Sequence, residues 1–471
     1  MKKSRLGISL SMIPAIFTLA GPTMLEQLMQ TAVQYVDTAM VGSLGTAATA
    51  AVGATTTVNW LIGSTVHAVA TGFLSFVAQA IGAERREDAK RAASQAALAV
   101  LVLGVIFTAL PLALSGVIPA WMQVDGSVRA LSSLYFFIIY TPMLFRVATI
   151  IFGTLLRAVG DTKTPMKIGI VINLINVVLN ACLIYEPLML NVFGYELTLP
   201  LAGLGVVGAA IATAVSYAIG GVLITLALIK NRDVSPLGER IAPDKRILTA
   251  CLKVAAPNAL QRFGTSLGYV AFAAMVNSLG DISTAAHTIA NTVESAFYIP
   301  GYGMQTATAT LTGNAYGARD EKKIKELSST IIFLEVLMMI VSGGLLFIFA
   351  PDMMRLFSKD DSVISLGATV LRLVALSEPF YGVSIVIEGM MHGMGKTGYS
   401  FVCNITGMWL VRIVGTYLCI TFLDGGLVSA WICMILHNLL LFVMFVIYYA
   451  RGKWKPKSLE IDENDNLSLQ N

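Results

Sequence analysis

Charged residues are scarce in this chain, and their scarcity excludes most soluble folds. They make up 13% of the 471 residues, whereas hydrophobic residues make up 56% and the mean hydropathy is +0.74. A soluble domain carries about 25% charged residues. Because a membrane-spanning helix needs roughly 20 apolar residues, the sequence predicts an integral membrane protein with about a dozen helices. The net charge of +4 is small and lies in the loops, which argues against a nucleic-acid partner.

Cysteine is also scarce, and the five cysteines show no motif spacing. All of them fall in or beside apolar segments, so we expect packing roles rather than disulfides or metal ligands. The amino-terminal "MKKSR" leads directly into a hydrophobic segment that is too long for the core of a signal peptide. We therefore expect no cleavable signal and no cofactor.

Twelve apolar segments predict an all-α protein with twelve transmembrane helices. They occupy 8–43, 47–80, 92–118, 130–157, 165–185, 202–229, 250–279, 284–316, 327–350, 363–391, 399–423 and 427–450. The loops between them alternate in charge: "GAERREDAKR" and "KNRDVSPLGERIAPDKR" are basic, whereas "GSLGT" and "SLGDIS" have no Lys or Arg. The positive-inside rule places the basic loops and both termini in the cytoplasm, as expected of a multi-pass plasma membrane protein.

An internal repeat is the strongest pattern in the sequence. "QAIGAERREDAK" begins at Gln79 and "NAYGARDEKKIK" begins at Asn314, 235 positions later, and the same offset relates Pro22 to Pro257. The register holds without a gap for about 140 residues. It slips afterwards because the first half has the longer outer loop "EPLMLNVFGYELTLP". The repeat divides the chain into an N-lobe (1–229), a linker (230–249), a C-lobe (250–450) and a cytoplasmic tail (451–471).

Each half holds six helices, and six is an even number, so both halves start on the same side of the membrane and are parallel. Two such lobes around a central space suit alternating access by rocking of one lobe against the other. A duplicated structural bundle with no transport role remains the alternative.

One carboxylate, Asp37, lies inside the first apolar segment, in "QTAVQYVDTAMVGSLG". A charge at mid-bilayer costs roughly 2.5–3.5 kcal/mol on insertion scales, and an intramembrane acid is a functional site by default. The helical rise puts Asp37 about 12 Å below the helix end near Gly45. Its repeat partner is Phe272, so the duplication does not require an acid there.

Polar side chains on other helices are predicted at the same depth as Asp37. They are Tyr135 and Tyr140 in the fourth segment, Asn176 and Asn180 in the fifth, and Thr213 in the sixth. Such a group can hold a protonated Asp by hydrogen bonds, or give oxygen ligands to a small cation such as Na⁺ at Asp37, Asn176, Asn180 and Thr213. Polar contacts that only join helices are the alternative.

Several motifs in order resemble the MATE (multidrug and toxic compound extrusion) family of the MOP superfamily. They are "GPTMLEQLMQTAVQYVDTAMVGSLG", "GTLLRAVGDTKTP", "NVVLN", "GLGVVGAAIAT" and the paired "IGAERR" and "YGARDE". The resemblance covers essentially the whole chain and implies an outward drug/cation antiporter driven by H⁺ or Na⁺, not an enzyme.

The resemblance also implies roles for individual residues. Asp37 matches the family's N-lobe acid, Pro22 its helix-1 proline, which we expect to bend the helix, and Gln30 a helix-1 glutamine. Asn176, Asn180 and Thr213 match polar positions of helices 5 and 6.

The C-lobe departs from part of the family. Some members carry a Glu in helix 7 and an Asp in helix 10, where this chain has Thr265 and Tyr381. We expect a substrate cavity lined by Gln30, Gln34, Glu294 and Glu378.

Three functions compete. An antiporter that exports small cationic or amphipathic drugs, and so confers antibiotic resistance, is favoured. An exporter or flippase of a lipid-linked or other amphipathic solute would need a strongly basic cavity, and few intramembrane Lys or Arg are present. An intramembrane enzyme would need a nucleophile–base pair or a metal cluster. H⁺ is favoured over Na⁺ because burial of a lone Asp disfavours its charged form. We expect a monomer in contact with membrane lipid.

Overall fold

The computed structural model describes residues 8–122, 124–192, 195–199 and 201–456, and its long elements are all helices. The first half contains α1 (Ile13–Gly42), α2 (Thr46–Gly82), α3 (Arg86–Leu114), α4 (Ile118–Trp121), α5 (Gly126–Tyr140), α6 (Met143–Ala158), α7 (Lys163–Ile184) and α8 (Gly205–Lys230). The second half contains α9 (Lys245–Asn277), α10 (Asp281–Gly317), α11 (Glu321–Arg355), α12 (Asp361–Ala375), α13 (Glu378–Gly393), α14 (Thr397–Ile405), α15 (Val414–Phe422) and α16 (Leu427–Ala450). A π-helical stretch, Thr406–Ile413, joins α14 to α15.

Each of the twelve predicted segments coincides with a helix or with a broken helix. Among the described residues, seven helices are long and apolar enough to cross a membrane, or nine when the bent pairs α5/α6 and α12/α13 each count as one span. The other long helices are α1, α9 and α10. They lie where the two lobes meet: α1 packs against α10, and α2 packs against both α9 and α10.

The two halves repeat the same architecture, as the sequence offset predicted. The first half bends by 47° between α5 and α6, and the second half bends by 55° between α12 and α13, at breaks 235 residues apart. Ser75 Oγ donates to the Gly393 carbonyl at 3.2 Å, and its repeat partner Thr310 donates to the Arg157 carbonyl, also at 3.2 Å. The contacts between the lobes are therefore related by a pseudo-two-fold axis.

Glycines make the closest approach between the lobes. A Cβ on Gly82 of α2 would lie 1.8 Å from the Asn314 carbonyl oxygen, and a Cβ on Gly317 of α10 would lie 2.0 Å from the Gln79 carbonyl oxygen. Gly317 and Asn314 are the repeat partners of Gly82 and Gln79, so the two contacts are equivalent under the internal repeat. Only glycine permits these backbones to touch, and the lobes are closed together at this point.

We call this end of the molecule the charged end; it carries the loops 83–85, 159–162, 231–244, 318–320 and 394–396. Both ends of the described chain lie there as well. The Ser9 amide donates to Thr330 Oγ1 at 3.0 Å near the start of α11, and Lys455 pairs with Glu321 at 3.3 Å. Residues 1–7 and 457–471, which include most of the predicted tail, lie outside the described residues.

The first helix is shared between the lobes. Ile16, Leu19 and Ala20 of α1 belong to a buried cluster with Met304 and Ala307 of α10, and α1 also packs against α7 of its own lobe. A change in the packing of α1 would therefore alter contacts in both lobes.

Two connections differ from the expected loops. The linker covers 231–244 and is shorter than expected, because Asp244 caps α9 by accepting from the Arg246 and Ile247 amides. The linker is also held to α3, since Gln95 donates to the Ala242 carbonyl at 2.8 Å and accepts from the Asp244 amide at 2.9 Å. The long connection after α7 contains an unexpected antiparallel hairpin of β1 (Leu188–Val192) and β2 (Tyr195–Leu199).

Candidate functional site

Three helices of the N-lobe bring the predicted polar residues together at Asp37. Asn180 Nδ2 of α7 donates to Asp37 Oδ1 of α1 at 2.7 Å and lies 3.2 Å from Asn176 Oδ1, one turn away on the same face of α7. Asn176 in turn lies 3.3 Å from Thr213 Oγ1 of α8. A continuous chain of hydrogen bonds thus runs from Asp37 through two amides to a hydroxyl.

The Asn176 amide can be placed in two orientations, since its oxygen and nitrogen are not distinguished by shape. In one, Asn176 Oδ1 lies 2.9 Å from Asp37 Oδ1 and 3.0 Å from Oδ2. Two acceptors that close require a proton or a small cation between them. In the other, Asn176 Nδ2 donates to both Asp37 oxygens at these distances, which suits an ionised carboxylate. The site can therefore accommodate both protonation states of Asp37.

Burial differs along this chain of groups. Asn176 and Asn180 are buried, whereas Asp37 is partly exposed. Asn180 Oδ1 has no hydrogen-bond partner in the described part of the chain. The site is therefore most accessible at the carboxylate, and one amide oxygen behind it is unpaired among the described residues.

The two predicted tyrosines are buried, but no hydrogen bond joins them to Asp37 in the described structure. Tyr140 packs on Phe136 with ring centroids 4.3 Å apart, and its hydroxyl has no partner there. Sequence reasoning missed Arg146, which donates to Asn59 Oδ1 at 3.0 Å and lies 5.0 Å from the ring centre of Tyr217. A single Arg in the apolar "MLFRVATIIF" was the available signal.

Helix α1 continues through Pro22. A helical proline leaves the carbonyl four residues earlier without its donor, and that carbonyl, of Thr18, accepts from Thr162 Oγ1 at 3.3 Å. In the C-lobe the equivalent threonine, Thr397, donates to the Val254 carbonyl at 2.7 Å, three residues before Pro257. In each lobe, a threonine hydroxyl thus donates to a backbone carbonyl three or four residues before the proline. The predicted bend at Pro22 stays a prediction.

An ion pair near Pro22 was also missed. Arg157 Nη2 of α6 lies 2.6 Å from Glu26 Oε1 and 2.7 Å from Oε2 of α1, and the two side chains are only 16% and 21% exposed. The intramembrane Glu in "MLEQLMQ" was a signal, but sequence alone did not supply its partner.

The predicted cavity residues lie in different surroundings. Gln30 and Gln34 are exposed and share the α1 face of Asp37 by their spacing of four and three residues. Glu294 of α10 and Glu378 at the start of α13 are both buried, with 6% and 1% of their surfaces exposed. Sequence reasoning missed Glu335 of α11, which is 0% exposed.

The C-lobe positions that depart from the family carry no charge. Thr265 donates to the Gln261 carbonyl at 2.9 Å, and the Tyr381 hydroxyl lies 3.4 Å from that of Tyr302. Nearer the charged end, Glu388 accepts hydrogen bonds from four side chains. These are Gln261, Gln305, Ser400 and Asn404.

No group of three or more His, Cys, Asp or Glu side chains is arranged to hold a metal ion within the described ranges. Among the described residues that form this hydrogen-bonded cluster, Asp37 is the one acid, and Asn176, Asn180 and Thr213 are neutral. Such a set can bind a proton or a monovalent cation, but it lacks the charge of a divalent metal site.

The chain matches the MatE family over residues 22–182 and 257–418, two matches that begin at Pro22 and Pro257. Among its relatives, the "Probable multidrug resistance protein NorM" of Thermotoga maritima is 25% identical over 444 residues, which are 94% of this chain and 93% of that protein. "Multidrug resistance protein MdtK" of Yersinia pseudotuberculosis is 25% identical over 414 residues, covering 86% of this chain and 87% of that protein.

Solved structures share the fold. A MOP superfamily transporter from Pyrococcus furiosus superposes with a TM-score of 0.86 at 24% identity, covering 97% of this chain and all of that one. An outward-facing multidrug resistance MATE family transporter superposes with a TM-score of 0.85 at 24% identity, covering 94% and 96%. The family match spans both lobes of an all-helical membrane bundle, as the motifs predicted, so the chain belongs to the MATE family of transporters and not to a family of enzymes.

Proposed function

We propose that this transporter exports cationic, amphipathic drugs by alternating access in exchange for H⁺, and that Asp37 couples the two movements. The observation that carries the proposal is the hydrogen-bonded chain Asp37–Asn180–Asn176–Thr213. It places one partly exposed acid against neutral groups that suit either of its protonation states. The names of the relatives, which are multidrug resistance proteins, support the drug substrate.

Coupling requires that the ion bind one conformation better than another. Protonation of Asp37 removes a charge from a region of low dielectric and changes the preferred orientation of the Asn176 amide. Because the start of α1 packs in the C-lobe, a shift of α1 relative to α7 would move the boundary between the lobes. Protonation would in this way favour the conformation that releases drug.

The direction of transport follows from the charge of the loops. The positive-inside rule puts the charged end in the cytoplasm, and the glycine contacts of Gly82 and Gly317 close the lobes there. Drug would then leave towards the opposite end, which carries the loops 43–45, 278–280 and 423–426.

The substrate class follows from the groups available between the lobes. Gln30 and Gln34 offer neutral hydrogen-bonding groups beside Asp37. Glu294 places a carboxyl group on the C-lobe side, which would attract cations and disfavour anions.

Na⁺ is the alternative coupling ion, and one observation favours it. When Asn176 Oδ1 faces Asp37, the site offers oxygen atoms of Asp37 and Asn176, with the unpaired Asn180 Oδ1 behind them, and hard cations prefer oxygen. H⁺ remains favoured because a single acid is present.

The test is export of a fluorescent aromatic cation, ethidium, from proteoliposomes with a pH gradient and a Na⁺ gradient imposed separately. The proposal predicts export driven by the pH gradient alone. Export driven only by Na⁺ would select the alternative ion, and no gradient-driven export of any tested cation would contradict the proposed function.

A further inference from the structure

Three carboxyl groups lie in the interior of the C-lobe, away from Asp37, on three helices that pack against one another. Glu294, Glu335 and Glu378 belong to α10, α11 and α13, and they are 6%, 0% and 1% exposed. Glu335 Oε1, Glu335 Oε2 and Glu378 Oε2 are buried and have no hydrogen-bond partner among the described residues.

Glu335 lies between two helices that have glycine at the point of contact. A Cβ on Gly301 of α10 would lie 2.7 Å from Glu335 Oε1, and a Cβ on Gly382 of α13, one turn after Glu378, would lie 3.3 Å from it. A Cβ on Gly343 of α11 would lie 3.4 Å from the Glu378 Cβ. The carboxyl group of Glu335 thus points from α11 towards the helices that carry the other two acids.

Charge balance decides the state of this cluster. The nearby cation is Arg412, which lies 4.2 Å from the ring centre of Phe272 and 5.0 Å from that of Tyr269, and its charge acts on Glu294. Among the described residues, no ion pair includes Glu335 or Glu378. An ionised carboxylate without a partner in a protein interior costs several kcal/mol. We therefore expect Glu335 and Glu378 to be protonated, and so neutral, in this conformation.

The remaining titratable groups around the cluster do not change this balance. The elements packed against α11 and its neighbours carry three tyrosine hydroxyls, one exposed arginine that donates to the Phe347 carbonyl, and one histidine. These groups are Tyr298, Tyr302, Tyr381, Arg372 and His437.

We propose that Glu335, Glu378 and Glu294 form a second proton-binding site, in which Glu335 holds its proton in this conformation and Glu294 exchanges protons with solvent. The site is separate from the C-lobe positions Thr265 and Tyr381, which carry no acid. Its proposed ligand is H⁺, and the three carboxyl groups do not form a group that could hold a metal ion among the described residues.

Proton exchange at this site needs no other reactant. A hydronium ion that reaches Glu294 gives up its proton to a carboxylate oxygen and leaves as water, and the proton passes between carboxyl groups to Glu335. Release from Glu335 requires water to enter between α10, α11 and α13, because the ionised form has no partner there. Deprotonation of Glu335 is thereby linked to separation of these helices.

The test uses the full-length protein in lipid and the infrared C=O stretch of protonated carboxyl groups, recorded in pH difference spectra. Asp37→Asn serves as the background, so that the result does not depend on Asp37 or on drug export. We expect Asp37→Asn to keep a carboxyl band and the added Glu335→Gln to remove part of it. The number of protons taken up per protein molecule, titrated with an electrode, should be lower by about one in the double variant than in Asp37→Asn alone.

The matched control is Glu388→Gln, since Glu388 already accepts four hydrogen bonds, and it should leave the band unchanged. If Glu335→Gln fails to fold, Glu335→Met, which fills the same space without a polar atom, is measured instead. A carboxyl band and a proton uptake that are the same with and without Glu335 would overturn the proposal. Loss of drug export alone, with the band unchanged, would contradict it as well.

Discussion

Removal of one partner of the Glu26–Arg157 pair should destabilise the protein more than removal of both. At the closest N–O distance of 2.6 Å, and with an effective dielectric constant of about 20, the attraction between the charges is about 6 kcal/mol. The cost of taking both ions out of water is of similar size, several kcal/mol for each ion. The intact pair is therefore close to neutral in stability, and its loss as a pair should cost little.

Single substitutions leave one charge buried and unpaired. Glu26→Gln and Arg157→Met should each cost about 3–5 kcal/mol, whereas the double variant should recover most of that loss. The assay is the temperature at which half of the purified protein aggregates in detergent, measured for the two single variants, the double variant and the parent. Asp352→Asn is the control, because its pair with Arg355 is 60% and 64% exposed and should be worth less than about 1 kcal/mol.

The reasoning is wrong if the double variant is as unstable as the sum of the two single variants. It is also wrong if either single variant behaves like the exposed control. In both cases the Glu26–Arg157 pair would not contribute to the stability of the contact between α1 and α6.

Three further predictions concern α1, the closed end and the C-lobe. Thr162→Val should cost about 1–3 kcal/mol by leaving a carbonyl unsatisfied, and should cost almost nothing in Pro22→Ala, where the backbone amide of residue 22 restores the helical bond; equal losses in both backgrounds would contradict this account. Gly82→Ala should open the charged end and raise thiol labelling of Cys251, which is buried near the start of α9. Gly63→Ala in the same helix should not, because a Cβ there would have nothing within 4 Å. Glu294→Gln should lower export of cations relative to neutral drugs, and unchanged export of every tested cation would make Glu294 a structural residue.

The sequence predicted the helices and the Asp37 cluster because both follow from one-dimensional rules. Apolar length locates a spanning helix, and the rise per residue converts position into depth. Asp37, Asn176, Asn180 and Thr213 met because their helices are neighbours, which depth alone does not establish. Tyr135 was predicted at the same depth, yet it makes no hydrogen bond to Asp37 in the described structure.

Lateral packing explains what the sequence did not predict. Glu335 lies in "IIFLEVLMMI", and nothing in that stretch shows that glycines of two other helices lie beside its carboxyl group. The Glu26–Arg157 pair joins residues 131 positions apart, and the hairpin after α7 depends on pairing between two short strands. Such contacts depend on which helix faces are adjacent, and this is a property of the assembled bundle.

The central claim is that Asp37 couples the ion gradient to drug export, and Asp37→Asn in proteoliposomes tests it most directly. This variant mimics the neutral state permanently, so ethidium should still bind while gradient-driven export stops. Asn180→Ala, which removes a hydrogen-bond donor at 2.7 Å but leaves the acid, should reduce export less. Gradient-driven export by Asp37→Asn at the rate of the parent protein would contradict the account.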